Sequence, residues 1–259
     1  RLAPALRELL QQAACLGSTA ELSLLAATCG RAPGPIAPDL AGAEQAGLVT
    51  VSDDRLVFAH ERIREAAYAL LPDAQRTQAH HRAWQWLTSH LDADEVEARL
   101  FELAQHGNLG ADCLSAEEAV LASSLNARAG RKARAAGAFA AARHHLLHAV
   151  RHQPDDAWST QPQQRFELAL DVAECEYLTG HAEASEQQLD TALQQARSQP
   201  QRMQVHVLRS RLRLYAGQYG PALTSALDAL RVLGIELPDD DEALRPLQAR
   251  EHAALTRLL

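Results

Sequence analysis

A mainly α-helical protein, with a small winged helix-turn-helix domain ahead of a tetratricopeptide-like α-solenoid, follows from three features of the sequence. Hydrophobic residues form 47% of the chain and aromatics only 4%, so the core must be built largely of Ala and Leu, both strong helix formers. Two closely spaced runs rich in Val, Leu and Phe lie just before His60 and follow three helical runs. Beyond Leu114, a register of glycine and small apolar residues returns at intervals.

From Leu2 to Leu16, the residues Leu6, Leu9, Leu10, Ala13 and Ala14 form the stripe of an amphipathic helix, which Gly17 ends. Ser18 or Thr19 is placed to cap a second helix from Glu21 to Cys29, with Leu22, Leu25 and Ala26 on one face. Arg31 to Pro38 is too rich in proline to continue a helix and reads as a loop. Pro38 and Asp39 open a third short helix through Ala46, stopped by Gly47. Leu48 to Ser52 and Arg55 to Ala59 form a hairpin about Asp53 and Asp54. Three helices and a two-stranded ribbon give the order of a winged helix-turn-helix. Its last helix is the stretch Phe58 to Leu71, closed by Pro72, with Ile63, Ala66, Ala67 and Leu70 on one face.

Residues 1–74 thus form the winged-helix domain, 75–114 connecting helices and 115–259 the helical repeats. Arg76 to His90 and Asp94 to His106 are expected as two helices burying Trp84, Leu87, Leu100, Phe101 and Leu103. Gly130, Gly137, Phe139, Ala142, Leu146, Ala149 and Pro154 then match the glycine, aromatic, small, leucine and proline positions of a tetratricopeptide unit. The register returns at Gly180, Ser185, Leu189 and Ala192, and again at Gly217, Tyr219, Ala222, Ala226 and Ala229. Each glycine permits the turn within a helix pair, and each small residue a close approach of the two helices. Asp239 to Asp241 are expected to cap a further helix to Leu259, with the solenoid continuing past it. The first residue is Arg1 and the only methionine Met203, the pattern of an excised fragment.

Composition excludes several functions. A formal net charge of -8 disfavours nucleic-acid and anionic membrane surfaces. The third helix and the hairpin tip present Asp39, Glu44, Gln45, Asp53 and Asp54, where a DNA-binding regulator, the alternative reading, needs cations. The single lysine, Lys132, stands in no GxxxxGK[ST] loop, so any nucleotide-binding loop lies outside these residues. No apolar run approaches the roughly 20 residues of a membrane span. Cys15, Cys29, Cys113 and Cys175 lack the spacing of a disulfide framework or zinc site, which is the usage of a reducing cytoplasm. His144, His148 and His152 recur at helical spacing, but the repeat register puts them on an outward face with no carboxylate or cysteine nearby until Asp155, and no metal site is assigned. No catalytic constellation is present, so the chain reads as non-enzymatic.

The segments FAHERIREAAYALLP, RLFELAQHGN, LNARAGRKARAAGAF, AECEYLTGHAEA and LRVLGIELP, in that order, resemble the region behind the NTPase module of bacterial STAND-type signalling ATPases. These are large proteins often fused to kinase, cyclase or transcription-factor domains. The resemblance spans essentially the whole chain. It implies a winged helix packed on an upstream NTPase module and a tetratricopeptide-like arm that binds a protein or ligand and relays to a downstream output domain. It also implies ATP or ADP with magnesium in the parent protein, and no cofactor in this segment. Phe58 to Glu61 is similar to the Met-His-Asp-type motif of the related NB-ARC proteins, in which the histidine contacts the β-phosphate of ADP. By position, His60 takes that role and Glu61 that of the acidic partner, with Glu in place of Asp. Arg62 and Arg64 are the nearest cations facing the module.

Overall fold

Helices dominate the computed structural model, which describes residues 2–31, 36–238 and 240–258, without the side chains at 241, 251, 254, 255, 257 and 258. Two units, Arg1–Asp155 and Asp156–Leu259, divide the chain.

The first unit begins with α1 (Pro4–Leu16), whose Leu6, Leu9, Leu10, Ala13 and Ala14 are buried as their spacing predicts. The next segment departs from the sequence reading. Thr19–Glu21 is a strand, β1, and α2 is only Leu22–Thr28, with no side-chain cap. After α3 (Ala37–Gln45), β2 (Val49–Ser52) and β3 (Arg55–Phe58) form the expected hairpin. Asp53 and Asp54 at its tip have φ of 49° and 61°, the left-handed pair of a type I′ turn, a conformation that Asp tolerates better than most residues. β1 pairs antiparallel with the other edge of β3, giving the order β1-β3-β2.

Tertiary pairing explains why β1 overrides the helical reading. Without it the edge of β3 would be open; with it, Phe58 N donates to Ser18 O, Ala20 faces Leu56 in the core, and Glu21 lies opposite Arg55. Each net hydrogen bond contributes about 0.5–1.5 kcal/mol, more than the few tenths that separate ordinary helix propensities. Of the loop read at Arg31 to Pro38, residues 32–35 lie outside the described residues, and Ala37 and Pro38 already belong to the third helix.

α4 (Glu61–Ala69) follows β3 and packs on α1. Ile63 and Ala67 meet the core as expected, but Ala66 is exposed and Leu70, just past the helix, is 65% exposed. Tyr68 is the residue turned inward instead, toward α5 (Asp73–His90). The second connecting helix is broken in two, α6 (Ala93–Ala98) and α7 (Leu100–Leu109). A capping box of Asp92 and Glu95 starts α6. Trp84, Leu87, Leu100 and Leu103 are buried as predicted; Phe101 is exposed, its ring against His145.

α8 (Ala116–Ala135) and α9 (Phe139–Arg151) form a helix hairpin about Gly137, which has a φ of 75°. Gly130 lets the pair close: a Cβ there would lie 2.6 Å from Leu146 Cγ and 3.2 Å from Ala142 O. Across α6 and α8, Glu97 accepts from both Arg128 and Lys132.

The second unit holds the short α10 (Ala157–Thr160), then two further hairpins: α11 (Pro162–Leu178) with α12 (Ala182–Gln195), and α13 (Gln199–Tyr215) with α14 (Tyr219–Val232). Ser185 and Ala222, the small residues equivalent to Ala142, are buried, as are Ala192 and Ala229, the equivalents of Ala149 in the repeat register. Phe166, Ala169, Leu189, Val205 and Leu212 centre its core. α15 (Asp241–Leu258) comes last, with Asp240 Oδ1 accepting from Ala243 N. Asp239 and Leu259 lie outside the described residues. Among the described residues no helix is long and apolar enough to cross a membrane.

Candidate functional site

Buried Phe58 anchors the end of β3, and the next amide, Ala59 N, donates to Leu48 O. The chain therefore reaches His60 in a fixed direction. His60, extended at φ -153°, is the N-cap of α4, and its Nδ1 accepts from the backbone N–H of Arg62 at 3.1 Å. With Nδ1 used as an acceptor, the ring proton sits on Nε2, and the residue is exposed to solvent. The helix start beneath it carries a partial positive charge, with Arg62 N held by the cap and Ile63 N and Arg64 N donating to His60 O.

Glu61 and Arg62 occupy the same exposed turn. Arg64 Nε donates to Glu61 at 2.7 Å, and that hydrogen bond holds the pKa of the Glu61 carboxyl below its usual value. Arg64 also reaches back, its Nη1 donating to Ala14 O at 3.3 Å near the C-terminal end of α1. The structure thus groups His60, Glu61 and Arg62 on one exposed turn, while Arg64 ties that turn to the core. The Arg64 side chain is the least exposed of the four.

Behind α4 runs a buried polar chain that the sequence did not suggest. Tyr68 Oη lies 3.2 Å from His80 Nε2, and His80 Nδ1 lies 2.9 Å from His106 Nδ1, which links α4, α5 and α7. The contacts are satisfied with both rings neutral when Tyr68 donates to His80 and His80 to His106. Burial pushes His80 down to about 3, helped by the nearby His106 and Arg76, and pushes His106 down to about 4.

Two residues beyond His106, Asn108 and Asn126 exchange hydrogen bonds of 2.8 and 3.0 Å between α7 and α8. His145 Nδ1 donates to Asn126 Oδ1 and His152 Nε2 to Asn108 Oδ1. This corrects the outward placement of the α9 histidines. His144 is exposed, His148 half-buried, and His152 is buried at 7% exposure because the helix ends over the amide pair. Among the described residues no three His, Cys, Asp or Glu side chains come together in a metal-holding group.

On α3 the acidic groups are engaged within the fold: Asp39 pairs with Arg31, and Glu44 accepts from Val51 N. Neither offers a donor to a base edge or phosphate.

No protein-family model and no curated protein sequence matches the chain. Among solved structures it is similar to a signal transduction ATPase with numerous domains (STAND) that has a tetratricopeptide repeat sensor, from Pyrococcus horikoshii. The identity is 14% and the TM-score 0.34, over 90% of this chain. The chain spans 38% of the length of that protein.

Proposed function

We propose that the chain is a non-catalytic regulatory segment of a STAND-type signalling ATPase of the bacterial cytoplasm. Residues 1–74 are its winged helix, 75–114 connecting helices and 115–259 tetratricopeptide-like repeats. The first turn of α4 faces an upstream NTPase module and contacts its bound ADP. The helix hairpins receive a protein partner or ligand and relay to a downstream output domain. The order α1-β1-α2-α3-β2-β3-α4 supports the winged helix, since the wing pairs with a short strand after the first helix.

One observation carries the nucleotide contact: His60 caps α4 through Nδ1, which leaves Nε2–H pointing out of the fold's own hydrogen bonding at a helix N-terminus. A phosphate oxygen placed there accepts from Nε2 without breaking the cap. Glu61 is neutralised by Arg64, so it does not oppose the anion. Arg62 supplies a further cation on the same turn. Protein or ligand binding to the hairpins would then shift a population between nucleotide-closed and open arrangements.

Because capping and phosphate contact use different nitrogens, they are separable. In the full-length parent, His60→Asp keeps a capping oxygen but removes the donor, whereas His60→Ala removes both. Both variants are expected to lose co-purifying ADP and raise basal output. Only His60→Ala should also lower the stability of the isolated chain, by about 1 kcal/mol in urea titration. Unchanged nucleotide occupancy in both variants overturns the assignment.

A further inference from the structure

We propose that a cavity in the first unit, between α2, the β2–β3 turn and the C-terminal half of α5, binds a small organic cation with an apolar or aromatic body. It does not depend on the nucleotide contact, for none of His60, Glu61 or Arg62 lines it. Its volume is about 730 Å³, within the roughly 300–1,000 Å³ of small-molecule sites.

The lining divides by chemistry. Leu22, Ala26 and Ile36 line it from the core side; each is over nine-tenths buried. Trp86 and His90 line it from α5, their rings stacked 4.5 Å apart and 10° from parallel. This is a flat π platform held in place, because His90 Nδ1 lies 2.9 Å from Trp86 O. A carbonyl only accepts, so Nδ1 carries the proton and Nε2 of the neutral ring is left as an acceptor. Asp54 is the acidic residue of the lining. Arg31, the cationic one, is already paired with Asp39 at 2.5 Å, which cancels its charge locally.

The groups with unspent capacity are therefore an indole face, an imidazole lone pair and a carboxylate. All three attract a cation carrying N–H donors, through cation–π attraction and charge-assisted hydrogen bonds. An anionic ligand of the same shape would face Asp54 and would have to break the Arg31–Asp39 pair. The apolar floor adds affinity in proportion to the hydrocarbon it covers.

The test uses two probes of one shape and opposite charge, 1-naphthylmethylamine and 1-naphthaleneacetate, titrated into the whole chain by calorimetry. The amine is expected to bind saturably below millimolar concentration, and the carboxylate about tenfold or more weaker. Asp54→Asn keeps a residue suited to the left-handed turn and removes the charge; it should weaken the amine about tenfold and strengthen the carboxylate, whose repulsion from Asp54 is relieved. Trp86→Leu should weaken both probes. Equal binding of the two, preference for the carboxylate, no saturable binding of the amine, or amine binding insensitive to Asp54→Asn would each overturn the proposal.

Discussion

Lowering the pH from 7 to 5 is expected to destabilise the chain by about 4 kcal/mol through His80 and His106 alone, about 2 kcal/mol from each. Both are buried and neutral in the fold, His80 pushed down to about 3 and His106 to about 4. Well above pH 6.5 neither the folded nor the unfolded chain protonates these rings, and stability is at its full value. Below pH 6.5 the unfolded chain takes up protons that the native rings refuse, so stability falls with pH until the native values near 4 and 3 are reached. His148, also pushed down to about 4 by burial and by its basic neighbours, adds to the same slope. Urea titrations followed by circular dichroism at pH 7 and pH 5 measure the loss directly. A His80→Gln, His106→Gln double variant should be less stable at pH 7 but flatter between the two pH values. A wild-type stability that does not change from pH 7 to pH 5 contradicts the neutral buried pair.

Gly130→Ala is expected to cost about 1–3 kcal/mol although alanine is the better helix former by roughly 1 kcal/mol. The added methyl would sit 2.6 Å from Leu146 Cγ and 3.2 Å from the Ala142 carbonyl one turn earlier on α9. Leu146 is fully buried and has little room to turn, so α8 and α9 must separate. Leu146→Ala alone leaves a cavity and costs about 2–5 kcal/mol. Combined, the two changes should cost less than their sum, because the new methyl occupies part of the space that Leu146 vacated. A double-mutant cycle in urea gives the coupling. Strict additivity would place the contact elsewhere.

The close approach at Gly130 was legible because glycine and small residues announce it within one hairpin, and local periodicity also located α1, the β2–β3 hairpin and each helix pair. What failed was decided across the chain. β1 exists because β3 offers an edge, a fact about residues 55–58 rather than 19–21. The rotation of α4 follows from Tyr68 finding His80 on another helix, which no spacing within α4 records. At the candidate site, His60 was singled out by its resemblance to a motif. Its N-cap geometry and the engagement of Arg64 with Ala14 O came from the fold. His152 was assigned outward on helical phase alone. A signal existed in Asn126, a polar residue at an interior position between Leu125 and Ala129, which requires partners nearby.

The Asn108–Asn126 exchange also bears on how the helices find their order. The Ala-rich surface of α8 is nearly alike from turn to turn, so α7 could mate with it one turn out of register with little loss of apolar contact. The amide pair discriminates between those alignments. Asn126 is fully buried, and a slip of one turn would strand both amides and the two imidazoles that lean on them, at about 1–3 kcal/mol for each unsatisfied group. A mis-stacked collapse is thereby rejected early, which is the hazard that similar helical hairpins otherwise share. Replacing both asparagines with leucine should leave the native fold standing while raising the share of molecules that refold slowly or aggregate.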